Sequence, residues 1–295
     1  PMDDDPAAFI EDIVLGHSGT AFHRIAYTDW GAADAPAGTA ICVHALTRNA
    51  RDFDALARAL TPRRRVLCPD MVGRGRSDWL PADVEYGYRQ YEADATALIA
   101  RSGARSVDWI GTSMGGLLGM LLAARPGTPI RRLVLNDVGP FIPHTALRQL
   151  SEYVGKDPWF PDFAAAVAYM RQVHAGFGRL SEAQWAHLAR HALRAAPDGG
   201  YRLAYDPRIG DAFAEPDSLE DLDLWSLWGA IACPVLVLRG AESGLLTAET
   251  AEAMTRRGPC ARLVTIPEAG HAPALMAAAQ IATIRDWLDT TPATA

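Results

Sequence analysis

Short, uninterrupted apolar runs recur along the chain, at residues 39–44, 65–70, 106–110, 132–136, 233–239 and 261–267. They are continuous rather than alternating, which is the pattern of strands buried on both faces of a sheet. The stretches between them read differently. Residues 52–60, 88–101, 114–125, 248–257 and 277–288 are rich in Leu, Ala, Met and Arg and follow a helical period. A further strand falls early, at residues 20–27. Strand and helix alternate, and that alternation predicts an α/β protein on a mostly parallel, doubly wound sheet.

One long segment breaks the alternation, between Asn136 and the strand near Cys233. Helical patterns at residues 146–154, 162–175 and 181–195 are separated there by Pro- and Gly-containing breaks such as Gly176-Phe177-Gly178 and Pro197-Asp198-Gly199-Gly200. The segment therefore predicts a helical cap inserted after the sixth strand, with residues 1–138 and 231–295 forming the core and 139–230 the cap. It is also aromatic, from Trp159, Phe160, Phe163 and Tyr169 through Phe177 and Trp185 to Tyr205, Trp225 and Trp228. Most of these rings are expected to pack cap onto core and a minority to line an apolar pocket. A lid inserted between sheet strands sits over their carboxyl ends, where open α/β sheets bind ligands.

Composition narrows the classes. With 295 residues, 49% of them hydrophobic, the chain can bury a large core. Its net charge is −7, and the short Arg63-Arg64-Arg65 reads as a solvated turn, so nucleic acid is not an expected partner. No apolar stretch is long enough for a membrane helix, and Pro1-Met2-Asp3-Asp4-Asp5 is acidic where a secretory signal is basic. The expectation is a cytoplasmic enzyme. Cys42, Cys68, Cys233 and Cys260 lack the spacing of a metal site and read as small buried hydrophobes in or beside strands.

Against this frame, Gly111-Thr112-Ser113-Met114-Gly115 follows an apolar strand and opens a helix. That is the signature of a strained turn that lifts a serine hydroxyl clear of the backbone as a nucleophile. The flanking glycines let strand and helix approach closely. Serine needs a base within hydrogen-bond reach, oriented by a third group. His271 is the candidate base, because it follows the strand at residues 261–267 and precedes a helix, which puts it in a loop at the carboxyl edge of the sheet. Of the remaining histidines, His17 and His23 fall on early strands, His174, His187 and His191 on cap helices, His144 at the cap entrance and His44 beside an early loop where a structural role is expected.

The succession His44-Ala45-Leu46, Asp70-Met71-Val72-Gly73-Arg74-Gly75-Arg76-Ser77, the serine pentapeptide, the insertion and Gly270-His271 resembles the α/β-hydrolase fold family. Within it the chain is similar to capped serine hydrolases, both esterases and meta-cleavage-product hydrolases. The resemblance covers the chain from about residue 20 to the last helix. It implies backbone oxyanion donors at Met114 and Leu46, with Ala45 standing where similar enzymes carry a glycine. It also exposes a departure: the aspartate expected just after Gly240 is replaced by Ser243 and Gly244. Two carboxylates remain as orienters of His271. Asp137 follows the sixth strand directly, as in some haloalkane dehalogenases of this fold, and is favoured; Glu242 is the second choice.

A serine nucleophile implies an acyl-enzyme, hence hydrolysis of an ester, lactone or thioester, with neither metal nor organic cofactor. Carbon–carbon hydrolysis of the meta-cleavage type is the runner-up, disfavoured because Thr112 and Ala272 replace an asparagine and a tryptophan common in those enzymes. A non-catalytic, ligand-binding member of the fold is the third reading. Arg48 is the candidate substrate-binding residue, weighed against a salt bridge to Asp52. The expected partner is a small ester-like molecule, bound by a monomer or homodimer.

Overall fold

The computed structural model describes residues 9–293, so the acidic start at residues 1–5 lies outside the described residues. An eight-stranded sheet forms the centre: β1 (Phe9–Ser18), β2 (Ala21–Trp30), β3 (Thr39–Val43), β4 (Arg65–Pro69), β5 (Val107–Thr112), β6 (Ile130–Asn136), β7 (Val235–Gly240) and β8 (Arg262–Ile266). Their spatial order is β1-β2-β4-β3-β5-β6-β7-β8. The β1–β2 and β2–β4 pairs are antiparallel and every other pair is parallel. The helices of the core are α1 (Asp54–Leu60), α2 (Tyr88–Ser102), α3 (Met114–Ala123), α8 (Ala248–Met254) and α9 (Ala278–Thr290).

The continuous apolar runs have a simple cause. Successive side chains of a strand point to opposite faces, and here both faces are covered. Ile41, Val43, Trp109, Leu133, Leu135 and Val237 pack with Leu98 of α2 and Leu118 of α3. Their neighbours Ala40, Cys42, Ile110, Val134 and Leu236 pack on the other face with Leu56 of α1 and Ile284 and Trp287 of α9. No residue of β3 to β7 is exposed, so those runs do not alternate, whereas β8 lies at the sheet edge and exposes Arg262 and Thr265, against the expectation for residues 261–267.

The segment between β6 and β7, the predicted cap, contains α4 (His144–Ser151), α5 (Phe163–Val173), α6 (Glu182–Ala192) and α7 (Trp225–Ala230). It is less helical than the pattern predicts. A helix is expected to run to residue 195, but Leu193–Ala195 pairs instead with Tyr201–Leu203, which also pairs with Trp159–Phe160. A two-residue pairing joins Leu222–Asp223 to Phe141–Ile142. The start of α6 is set locally, by a capping box between Ser181 and Gln184.

Two other expectations are corrected. The arginine triplet is not a solvated turn: Arg64 is 2% exposed and donates to Asp108 and Asp289, while Arg65 donates to Asp29. Those carboxylates draw the guanidinium groups inward, and Arg131 and Arg132 join the same Asp108. Cys260 is exposed, at a positive-φ turn before β8, whereas Cys42, Cys68 and Cys233 are buried.

Candidate active site

The site is assembled from loops at the carboxyl ends of the parallel strands. Between β5 and α3 the chain turns so sharply that Ser113 sits at φ 50°, ψ −112°. A Cβ on Gly111 would lie 2.2 Å from the Gly115 carbonyl oxygen, and one on Gly115 would lie 2.1 Å from the carbonyl oxygen of Val43. Glycine at both positions is therefore a steric necessity. Ser113 N donates to Asn136 O at 3.0 Å, which fixes the serine to the end of β6.

His271 follows β8 and enters the site from above Gly240, where any Cβ would collide with the carbonyl of Gly270. Ser113 Oγ stands 2.9 Å from His271 Nε2, and His271 Nδ1 donates to Asp137 Oδ2 at 2.8 Å. That second contact sets the tautomer, leaving Nε2 free to accept a proton. Ser113, Asp137 and Ala272 all adopt positive φ, at 50°, 57° and 63°. Such strain persists only where surrounding bonds enforce it, and it gathers at functional sites.

Asp137 has no exposed surface. A buried carboxylate is tolerable when its lone pairs are filled by donors, and four fill them here. Gly240 N donates to Oδ1 at 2.8 Å, while Ser243 Oγ (2.7 Å), His271 Nδ1 (2.8 Å) and Ala272 N (3.1 Å) converge on Oδ2. Ser243, at the position where similar enzymes carry the acid, thus donates to the carboxylate that reaches across from the end of β6. Its own hydroxyl oxygen accepts from Leu245 N and Leu246 N. Glu242 lies at the cavity wall with its backbone N bonded to Ala269 O, whereas the His271 ring bonds to Ser113 and Asp137.

The loop after β3 is held just as firmly. The Ala45 carbonyl accepts from His44 Nδ1 at 2.7 Å and from Arg48 N at 3.0 Å. In a trans peptide the Leu46 N–H points away from that carbonyl, so two bonds on one side aim a donor on the other. Met114 N lies at the first position of α3, where a helix N–H has no partner within the helix. Ala45 is not among the positive-φ residues, so its methyl strains nothing. Burial and, secondarily, the charge of Arg74 push the His44 pKa down to about 3, keeping the ring neutral. Nε2 then accepts from Met71 N at 2.9 Å.

A model of the α/β-hydrolase fold matches residues 40–276. The chain belongs to the α/β-hydrolase fold family. A 3-hydroxybutyrate-oligomer hydrolase from Cupriavidus necator is 43% identical over 90% of this chain and 92% of its own length. A crystal structure of an α/β hydrolase from Novosphingobium aromaticivorans has a TM-score of 0.84 at 35% identity, covering 96% of this chain and 99% of that one. A 2-hydroxymuconate semialdehyde hydrolase from Pseudomonas putida is 40% identical over a shorter stretch, 28% of this chain and 30% of its own.

In this α/β hydrolase a cavity of about 740 Å³ opens above Ser113 and His271, within the usual range for small-molecule sites. Its floor is Ala45, Leu46 and Ser113, and its cap wall includes Tyr153, Tyr169 and Phe177. Of the aromatics singled out from the sequence, Tyr169 and Phe177 face the cavity, while Trp228 is fully buried in the core. Tyr153, Gln149, Gln172 and Lys156 line the wall without any sequence signal marking them. Arg48 borders the cavity, but it is 2% exposed and its guanidinium holds Asp52 at 2.6 and 2.8 Å. The cap touches the loop that carries His271 through Gly176, whose carbonyl accepts from Gly270 N at 2.9 Å.

Asp54, His187 and His191 bring three donor atoms within 4.8 Å of one another where α6 meets α1. Arg51 already neutralises Asp54, and none of the three lines the main cavity. No helix among the described residues is long and apolar enough to cross a membrane.

Proposed function

We propose that this α/β hydrolase cleaves carboxylic esters through an acyl-enzyme on Ser113, with His271 as general base and Asp137 as its orienting acid. The observation that carries the reading is the unbroken relay from Ser113 Oγ through the His271 ring to a fully buried Asp137 carboxylate. Ser113 Oγ attacks the ester carbonyl while its proton passes to His271 Nε2. The carbonyl oxygen gains the charge and is met by the N–H groups of Leu46 and Met114. Collapse expels the alcohol, which takes the proton from His271. Water, activated by the same imidazole, then releases the acid and frees Ser113. Asp137 keeps its charge throughout and stabilises the imidazolium.

The relative from Cupriavidus necator is named for hydrolysis of hydroxybutyrate oligomers, which are chains of ester bonds. Its identity over nearly the full length supports an oligoester or another short-chain ester as substrate here. Carbon–carbon hydrolysis gains no comparable support, since the resemblance to the semialdehyde hydrolase spans a small part of the chain. The test is direct. Purified protein is expected to hydrolyse p-nitrophenyl butyrate and hydroxybutyrate dimers and to be labelled by a fluorophosphonate, with both activities lost in Ser113→Ala by about 10⁶-fold. Turnover that survives in Ser113→Ala contradicts the proposal.

A further inference from the structure

Four arginines are buried among the described residues: Arg48, Arg64, Arg74 and Arg132. Three are neutralised by carboxylates, Arg48 by Asp52, Arg64 by Asp108 and Asp289, and Arg132 by Asp108. Arg74 is the exception, although it is the most deeply buried, with no exposed surface. Its Nε donates to the Leu46 carbonyl at 2.8 Å, its Nη1 to the Val72 carbonyl at 2.7 Å, and its Nη2 lies 3.5 Å from the sulfur of Met114. The rings of Tyr91 and Tyr86 stack on it, with centroids 4.8 and 5.8 Å from the guanidinium carbon. No carboxylate pairs with it among the described residues.

A buried cation without a counter-ion is costly, and most proteins remove it or pair it. What distinguishes Arg74 is its location. It touches Leu46 and Met114, the two residues whose backbone N–H groups face the carbonyl oxygen in the proposed reaction. We infer that Arg74 is a positioning residue for the oxyanion hole, and that the negative charge it lacks in the resting protein is the one that develops on the substrate oxygen. The inference rests on the ester-hydrolase reading above.

Two features of the geometry support it. The Leu46 carbonyl is gripped by Arg74 and the Ala45 carbonyl by His44 and Arg48, so two successive peptides of the loop are fixed in orientation. The charge is also felt in this loop, since Arg74 is the second-largest cause of the depressed His44 pKa. In a water-poor site such a fixed charge acts on a developing anion without reorganisation. The fork geometry of arginine can hold two carbonyls at once, which a lysine cannot do as well. Arg74 also lies at the seam with the cap, because its backbone pairs with Tyr205 and Gly75 N donates to Ala204 O.

The experiment separates charge from hydrogen bonding with Arg74→Lys and Arg74→Gln, each checked for folding by circular dichroism and thermal melting. Two quantities are read: kcat and KM on p-nitrophenyl butyrate, and the inhibition constant of an alkyl boronic acid. The boronic acid accepts a bond from Ser113 Oγ, the serine proton passing to His271, and so presents a tetrahedral anion to Leu46 and Met114. Arg74→Gln is expected to lose about 30-fold in kcat, with KM within about twofold and boronate affinity falling in proportion to kcat. Arg74→Lys, which keeps the charge but not the two-carbonyl fork, is expected to recover about half of that loss on a logarithmic scale, leaving kcat about fivefold below wild type. A folded Gln variant with unchanged kcat, equal losses in Lys and Gln, or a loss confined to KM overturns the inference while leaving the ester-hydrolase reading standing. Should the Gln variant not fold, the Lys variant decides alone. Parallel losses in kcat and boronate affinity support the inference, and a loss in kcat with boronate affinity unchanged, or no loss at all, overturns it. Wild-type protein that neither turns over the ester nor binds the boronate overturns both.

Discussion

The floor of the cavity and its cap are built by opposite rules. On the floor these groups are each fixed by more than one bond: Asp137 by four donors, the Ala45 carbonyl by two, and Ser113 by its N–H on Asn136 and its Oγ at His271. The strands beneath are buried on both faces, so none of these loops can shift without disturbing the packing of the sheet. The cap is made of short helices and strands two or three residues long, and it meets the floor through contacts such as Gly176 on Gly270. Its polar cavity residues Gln149, Gln172 and Lys156 are exposed. Under the proposed function, the contrast assigns chemistry to the floor and substrate choice to the cap. Substitutions in the floor should therefore alter kcat, and those in the cap KM.

After loss of the nucleophile itself, the largest effect expected is that of Asp137→Asn. The amide cannot both accept from His271 Nδ1 and compensate the imidazolium, so kcat should fall about 10⁴-fold with KM little changed. Adding Ser243→Asp to that variant sharpens the comparison. Ser243 Oγ lies only 2.7 Å from the acid, so a carboxylate at 243 should restore part of the loss. A steady-state assay of the single and double variants checks this. No drop in Asp137→Asn would show that the relay geometry is not used.

Next in size is a pH effect on stability that belongs to the floor. His44 has a folded pKa near 3, well below the ordinary value. The unfolded chain binds a proton at about pH 6.5 and the folded one does not, so the stability held above that pH is lost progressively as the pH falls toward 3. At pH 5 the loss from this group is about 2 kcal/mol, or about 30-fold in the folding equilibrium. Urea unfolding at pH 7 and pH 5 measures it, and His44→Gln should flatten the slope. An unchanged slope in that variant would mean that His44 is charged in the folded protein.

The smallest effect is assigned to the cap. Tyr153 lines the cavity, and burial pushes its pKa up to about 12. Tyr153→Ala should raise KM about 10-fold for longer acyl chains, leave kcat within about twofold, and change the chain-length preference. Michaelis profiles over esters of graded length provide the measurement. A loss in kcat equal to the rise in KM would erase the distinction between floor and cap.

Much of the floor was legible in the sequence because its geometry demands particular residues. Only glycine fits at 111 and 115, the apolar runs mark strands buried on both sides, and a histidine just past the last strand falls at the carboxyl edge. Asp137 could be named as a candidate through the family resemblance, since some haloalkane dehalogenases of this fold carry their acid directly after the sixth strand. The role of Ser243 was not legible, since a hydroxyl that donates to a distant carboxylate leaves no local trace. The arginine triplet misled for a related reason: Asp108 and Asp289 lie 44 and 225 residues from Arg64, and charge alone does not reveal its partner. In the cap the strands at Leu193–Ala195 and Tyr201–Leu203 exist only through mutual pairing, and the helical pattern before them ran on past its true end. Cavity-lining residues such as Gln149 of α4 and Tyr153 just beyond it are set by tertiary packing, which periodicity does not encode.

The central claim is that Ser113 carries the acyl group between the two halves of the reaction. Rapid acid quench during turnover of a slowly hydrolysed ester, followed by intact mass and peptide mapping, tests it most directly. The account predicts an adduct of the acyl mass on the peptide containing Ser113, formed before steady-state product accumulates and abolished in Ser113→Ala. Product release without any adduct on that peptide, or an adduct mapped to another residue, would contradict it.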